Sequence, residues 1–229
     1  MLSMWNRGIL LSGMLMYSLA VFPQVEPAPD TGYINTHYTA MNKLFAEMPP
    51  LKKAVVFVGN SITEAGKWND LLPGHKVLNR GISGDITYGV MARLPEILKN
   101  KPRKIFLMIG INDLKRGIPV ETIENNYRKM VEMIREQSPG TKIYLQSVLP
   151  VNYDMLIESF RVIKNEDVAK LNRTLRSMAD NKKIFYVDLH EVFADEKGEL
   201  KKEESPDGIH IKIQSYYLWA EYLIKNKYL

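Results

Sequence analysis

Five short runs rich in Val, Ile, Phe and Tyr recur along the chain, and longer amphipathic stretches separate them. This alternation predicts βαβ units and a parallel sheet. Strands this continuously apolar need helices on both faces, so the fold class predicted is α/β, a three-layer α/β/α sandwich. The predicted strands are residues 54–58, 76–78, 105–109, 143–148 and 184–187.

Helices are predicted near residues 35–47, 86–98, 120–137, 166–179 and 214–225. In the third of these, Ile123, Tyr127, Met130 and Ile134 recur at three- and four-residue steps, which indicates one apolar face. Pro95 is expected to kink or divide the second helix, because its ring removes a backbone hydrogen bond.

The first residues differ from the rest of the chain. Arg7 precedes an apolar run over 9–19, and Ser18 and Ala20 form a small-x-small pair. This pattern predicts a signal peptide over residues 1–22, a proline-containing linker over 23–34 and one domain over 35–229. A spanning helix needs about 20 apolar residues, so a permanent membrane anchor is the weaker alternative. We expect an exported protein, periplasmic or secreted from a bacterium.

Composition limits the possible partners. A chain of 229 residues with 45% hydrophobic content suits one well-buried domain. Its 31 Lys and Arg are interspersed with 26 Asp and Glu, so the net charge of +5 indicates solubility rather than a basic stripe. No nucleic-acid partner is expected, because that would need a clustered basic face with stacking aromatics. The absence of Cys excludes disulfides and thiolate nucleophiles. The oligomeric state stays open.

Chemically distinctive residues follow the predicted strands. Ser61 follows the first, Gly84 the second and Asn112 the third, while Asp207 and His210 come after the fifth. Each alone is an ordinary turn or helix-cap residue. Four such segments at strand ends instead predict a site on the carboxyl edge of the sheet.

These residue types suit ester hydrolysis by a serine. A hydroxyl becomes a strong nucleophile when an imidazole accepts its proton, and a carboxylate fixes the tautomer of that imidazole. Ser61, His210 and Asp207 are the predicted catalytic residues. The N–H groups of Ser61 and Gly84 and the side-chain amide of Asn112 are the predicted oxyanion-hole donors.

The four segments resemble those of the SGNH (GDSL-like) hydrolase superfamily. Gly59-Asn60-Ser61 is similar to its first block, 81–85 to its second, 110–113 to its third and 207–210 to its last. The resemblance implies a flavodoxin-like five-stranded sheet ordered 2-1-3-4-5. Asn60 departs from the Asp common before the family's serine. We expect Asn60 to keep a local hydrogen-bonding role, with activity retained; the alternative is a weakened or inactive relative that still binds its ligand.

Three rival motifs fit poorly. The 59–67 segment has the wrong spacing for a phosphate loop, and Trp68 stands where Ser or Thr would bind magnesium. No Gly-x-Ser-x-Gly elbow or His-Glu-x-x-His helix occurs. We therefore expect neither a metal nor a cofactor.

The substrate follows less directly, because the family includes lipases, thioesterases and carbohydrate deacetylases. Short linking loops favour a small acyl group. The 79–85 segment resembles that of bacterial acetylesterase-type members, which suggests O-acetyl esters on carbohydrates such as sialic acid or other glycans. The expected pocket walls are 150–164 and 193–206, with Tyr153 and Arg161 as candidate sugar contacts. A lysophospholipase or thioesterase, or a non-catalytic glycan-binding relative, are the alternatives.

Overall fold

The computed structural model describes residues 31–229. The predicted signal peptide and most of the predicted linker lie outside the described residues. The strands are β1 Val55–Gly59, β2 Val77–Gly81, β3 Lys104–Met108, β4 Lys142–Gln146 and β5 Ile184–Val187. The α-helices are α1 Thr36–Glu47, α2 Ser61–Glu64, α3 Trp68–Leu71, α4 Thr87–Leu98, α5 Ile111–Lys115, α6 Val120–Gln137, α7 Asn165–Ser177, α8 Leu189–Phe193 and α9 Tyr216–Lys225.

All five strands are parallel, in the order β2-β1-β3-β4-β5, which confirms the predicted sheet. Alternate side chains point to opposite faces. Val56 and Val58 of β1 pack with Ile105 and Leu107 of β3 under α4, α6 and α7. The opposite face is covered by α2, α3, α8 and α9. The sheet is therefore sandwiched between two helical layers, as predicted.

Aromatic rings cross the second face of the sheet in one row. Phe57, Phe106, Tyr144 and Phe185 occupy matching positions of β1, β3, β4 and β5, and each ring stacks on the next. Trp68 of α3 stacks on Phe57 at the end of this row, with 4.0 Å between ring centroids. This packing fixes α3 beside the carboxyl end of β1.

Several predicted boundaries are wrong by a few residues. β2 continues beyond the predicted end at residue 78, through Asn79 and Arg80 to Gly81. Edge strands tolerate polar side chains, and an apolar pattern does not predict a strand at such residues. The expected division at Pro95 does not occur: α4 is continuous across it, and Pro95 faces solvent. The last helix begins at Tyr216, after a 3₁₀ turn at Ile213–Ser215. Among residues 31–229, no helix is both long and apolar enough to cross a membrane.

Candidate active site

Ser61 is the first residue of α2, at the carboxyl end of β1. Asn60 caps this helix, because its side-chain oxygen accepts a hydrogen bond of 3.0 Å from the backbone N–H of Ile62. The Tyr216 hydroxyl donates to the Ile62 carbonyl at 2.6 Å and holds α2 against α9. The local hydrogen-bonding role expected for Asn60 is thus present, and an asparagine fulfils it without a charge.

The structure brings Ser61, His210 and Asp207 together, although 149 residues separate the serine from the histidine. Ser61 Oγ lies 2.9 Å from His210 Nε2, and His210 Nδ1 lies 2.6 Å from Asp207 Oδ2. An ionised carboxylate only accepts hydrogen bonds, so it favours the tautomer with the proton on Nδ1. Nε2 is then free to accept the serine proton. This is the arrangement that activates a serine hydroxyl.

Asp207 also organises its own turn. Its second carboxylate oxygen accepts hydrogen bonds from the backbone N–H groups of Ile209, at 3.0 Å, and His210, at 2.8 Å. Burial opposes ionisation of Asp207, but these bonds and the one from the His210 ring outweigh it, so the pKa of Asp207 lies below its usual range. The carboxylate is therefore ionised over the pH range in which a neutral imidazole works as a base.

The turn that carries His210 is held from two further sides. Ser205 Oγ donates to the His210 carbonyl at 2.6 Å and accepts from the Gly208 N–H at 2.8 Å. The Asn152 N–H donates to the Gly208 carbonyl at 2.8 Å. Gly208 has a φ of +85°, and a Cβ added there would lie 2.7 Å from the Asn152 carbonyl oxygen. Glycine is thus required here for both backbone conformation and close approach.

The predicted oxyanion donors follow three adjacent strands, β2, β1 and β3, with Ser61 on the central one. Within residues 31–229, the N–H groups of Ser61 and Gly84 have no hydrogen-bond partner. Gly84 has a φ of +78°, which favours glycine, and the space beside its Cα is open. One hydrogen of the Asn112 amide donates to the Asp85 carbonyl at 3.0 Å, which leaves the second available to a ligand.

A buried ion pair supports the Gly84 loop from below, and the sequence analysis missed it. Arg93 of α4 donates to the Asp85 carboxylate at 2.9 Å, to the Arg80 carbonyl at 2.8 Å and to the Gly59 carbonyl at 3.1 Å. One guanidinium thus joins β1, β2 and the loop. Burial raises the pKa of Asp85 to about 6, although Arg93 and the Ile86 N–H oppose that shift. The available signal was a charged residue on the apolar face of a helix, between Val90 and Leu94.

Glu64, the last residue of α2, makes a second link between α2 and the loop that contains Gly84. Its carboxylate accepts from the Ser83 N–H at 2.6 Å and from the Ser83 hydroxyl. His37 of α1 lies 3.0 Å from the other carboxylate oxygen. Gly81 packs so closely on α2 that an added Cβ would lie 2.2 Å from the Glu64 nitrogen. Ser61 and Gly84 are therefore parts of one packed unit.

Asp113, next to Asn112, has a structural position. It is fully buried and accepts hydrogen bonds from the Thr87 N–H, at 3.1 Å to each oxygen, and from the Thr87 hydroxyl at 2.5 Å. Asn126 of α6 donates to the same hydroxyl at 2.8 Å. Burial raises the pKa of Asp113 to about 6, against these hydrogen bonds. The Asp113 carboxylate therefore joins the start of α4 to α5, and this contact holds Asn112 in place.

The predicted pocket walls join each other beside the Asp207 turn. The Asn152 amide donates to the Leu200 carbonyl at 2.8 Å, and the Leu200 N–H donates to the Val151 carbonyl at 3.4 Å. The Tyr153 hydroxyl accepts from the Asn165 N–H at 2.8 Å, which is a structural role. Arg161 is exposed and pairs with Glu158 at 3.5 Å.

In the described part of the chain, no three His, Asp or Glu side chains cluster as a metal site would require.

Comparisons with known proteins identify a family and a shared fold. Residues 57–216 match the model of the GDSL-like lipase/acylhydrolase family. An arylesterase from Vibrio mimicus is 35% identical over 95 residues, which cover 38% of this chain and 47% of that protein. Platelet-activating factor acetylhydrolase IB subunit alpha1 from Homo sapiens is 23% identical over 85% of this chain and 84% of its own length. The crystal structure of a GDSL-like lipase from Bacteroides thetaiotaomicron shares the fold, with a TM-score of 0.71, 24% identity and coverage of 84% of this chain and 98% of that one.

Proposed function

Because the chain belongs to the GDSL-like lipase/acylhydrolase family, a family of ester hydrolases, we propose that it hydrolyses small acyl esters, above all O-acetyl esters of carbohydrates such as sialic acid or other glycans. Ser61 is the proposed nucleophile, His210 the general base and acid, and Asp207 the orienting carboxylate. The observation that carries the proposal is the continuous hydrogen-bonded chain from Ser61 through His210 to Asp207.

The proposed reaction has two stages. His210 accepts the Ser61 proton as Oγ attacks the ester carbonyl, and the same imidazole then protonates the leaving alcohol. The negative oxygen of the tetrahedral intermediate accepts hydrogen bonds from the N–H groups of Ser61 and Gly84 and from the Asn112 amide. A water molecule, deprotonated by His210, then attacks the acyl carbon. The bond from that carbon to Ser61 Oγ breaks, the imidazolium returns its proton to Ser61 Oγ, and the acyl group leaves as a carboxylic acid. Apart from the ester and the water, the chain supplies every group in this scheme.

Two observations favour a bulky alcohol and a short acyl group. The His210 and Asp207 side chains are 38% and 47% exposed, so the catalytic edge opens to solvent and admits a large leaving group such as a sugar. The human relative named an acetylhydrolase aligns with 85% of this chain, which supports the acetyl group. Export, predicted from residues 1–22, would bring the enzyme to extracellular glycans.

The proposal is tested by measuring acetate release from a panel of acetylated sugars, with nitrophenyl esters from acetyl to palmitoyl as a chain-length series. We expect acetyl esters to be the best substrates. Ser61→Ala should lower turnover by roughly 10⁴- to 10⁶-fold, because the triad acts as a unit. Ser177→Ala, which removes an exposed hydroxyl from α7, is the matched control and should leave turnover unchanged.

Each alternative predicts a different result. A lysophospholipase or thioesterase would prefer the long acyl chains of the series. A non-catalytic glycan-binding relative would release no more acetate than Ser61→Ala. Either outcome would refute the proposed function.

A further inference from the structure

Arg80 on the edge strand β2 is a buried cation that lacks a carboxylate partner. The residue is 6% exposed, and its guanidinium carbon lies 4.4 Å from the centre of the Phe45 ring of α1. Within residues 31–229 its guanidinium makes one hydrogen bond, of 2.9 Å to the Asn79 carbonyl, and no ion pair. A guanidinium has five N–H donors, so the others have no protein acceptor. Buried charges in proteins are normally paired.

The surrounding charges leave an excess of positive charge. Arg93 also lines this region, but Asp85 and two carbonyl oxygens occupy its guanidinium. Burial lowers the pKa of Arg80, and the Arg93 charge lowers it further. The other carboxylate at this place, Glu96, is paired with Lys99 of the same turn. Two buried guanidinium groups therefore lie near one buried carboxylate, and that carboxylate is bound by Arg93.

A cavity of about 230 Å³ between α1 and α4 opens onto Arg80. Its walls combine the guanidinium with the amides of Asn42 and Asn100 and with the apolar side chains of Phe45 and Ile97. Drug-sized ligands occupy about 300–1,000 Å³, so this space suits a smaller molecule.

We propose that this cavity binds a small organic oxyanion, a carboxylate or a phosphate monoester, whose oxygens accept hydrogen bonds from Arg80. Two oxygens on one atom match the two parallel N–H groups of a guanidinium edge. The apolar part of the ligand packs against Phe45 and Ile97. The site is distinct from the Ser61 site, since none of the triad residues lines the cavity.

Calorimetric titration of the wild-type protein with acetate, butyrate, phenyl phosphate and inorganic phosphate, at constant ionic strength, tests the proposal. Butyramide is the uncharged counterpart of butyrate. We expect saturable binding of at least one anion, and at least about tenfold weaker binding by Arg80→Gln, because hydrogen bonds to a charged group are lost. Arg103 is an exposed arginine immediately before β3. Arg103→Gln makes the same charge change and should bind as the wild type does.

A second variant keeps the test decisive if Arg80→Gln does not fold. Ala92→Phe fills the cavity from the exposed side of α4 and leaves the guanidinium intact, so it should also abolish binding. Three results would overturn the proposal. Either no anion binds, or butyramide binds as tightly as butyrate, or every folded variant of this pair binds the anion as the wild type does. Preference for acetate and butyrate or for the phosphates identifies the anionic group of the ligand.

Discussion

The two halves of the proposed catalytic site are built in opposite ways. The nucleophile half consists of Ser61, Gly84 and Asn112 on three adjacent strand ends, and it rests on Asp85 and Arg93, whose side chains are 0% and 4% exposed. The base half is the turn from Asp207 to His210, which lies in irregular chain. The side chains of Asp207 and His210 are partly exposed there, while Gly208 and Ile209 are buried. Preorganised donors need a support that cannot relax, whereas an imidazole that transfers protons needs access to solvent and substrate.

This difference separates stability from chemistry. Changes under the nucleophile half remove buried charges and hydrogen bonds, so they should lower the free energy of unfolding as well as activity. Changes in the base half alter a partly exposed turn, so they should lower turnover while costing less stability than the loss of the buried Arg93 charge. The following substitutions test that separation.

Arg93→Met should have the largest effect on stability. It leaves the buried Asp85 carboxylate without its cation, with only the Ile86 N–H still donating to it, and breaking a buried pair in this way costs about 3–5 kcal/mol. Without the Arg93 charge, burial should raise the pKa of Asp85 above its present value of about 6. The variant then loses stability as pH rises toward this higher pKa and regains stability as pH falls. Urea unfolding at pH 5 and pH 8 should therefore show the larger loss at pH 8.

Arg103→Met is the control for that experiment, because Arg103 is exposed, and its unfolding free energy should change by less than about 0.5 kcal/mol. A loss below about 1 kcal/mol in Arg93→Met would contradict the idea that this ion pair supports the nucleophile half.

Asn112→Ala should lower kcat about 10²- to 10³-fold, the usual cost of one oxyanion donor. The substitution also removes the hydrogen bond to the Asp85 carbonyl, so a modest loss of stability of about 1 kcal/mol accompanies it. Steady-state kinetics on nitrophenyl acetate, with thermal unfolding in parallel, separates the two effects. Unchanged kinetics would remove Asn112 from the oxyanion hole.

The sheet and the site positions were predictable because each depends on local pattern. Short, continuously apolar runs predict buried parallel strands, and the sheet places successive strand ends at one edge. Helices α2, α3, α5 and α8 were missed because four or five residues are too few to show a helical period.

The supports of the site were not predictable for a different reason. Arg93 binds atoms of Asp85, Arg80 and Gly59, which come from separate segments, and no local pattern specifies such a convergence. Asp85 lies in the 81–85 segment and Asp113 in the 110–113 segment, but the sequence pattern assigned neither residue a role. Their roles follow only from burial, which the assembled helices create.

Gly208→Ala tests the base half, and we expect the smallest effect from it. Its φ of +85° is costly for alanine, and the new Cβ would lie 2.7 Å from the Asn152 carbonyl oxygen, so the Asp207 turn must shift. A displacement of about 1 Å can cost about a hundredfold in rate, so we expect turnover to fall about ten- to a hundredfold while stability falls by about 1–2 kcal/mol.

Gly198→Ala is the matched control for this backbone strain, since Gly198 has a φ of +78° and no atom lies within 4 Å of its added Cβ. That variant should lose similar stability and keep full turnover. Equal turnover in the two variants would mean that contact with Asn152 does not position His210, and that the partly exposed turn is held by Asp207 and Ser205 alone. A loss of turnover in Gly208→Ala only would instead show that the base half, although partly exposed, depends on one close backbone contact for its alignment with Ser61.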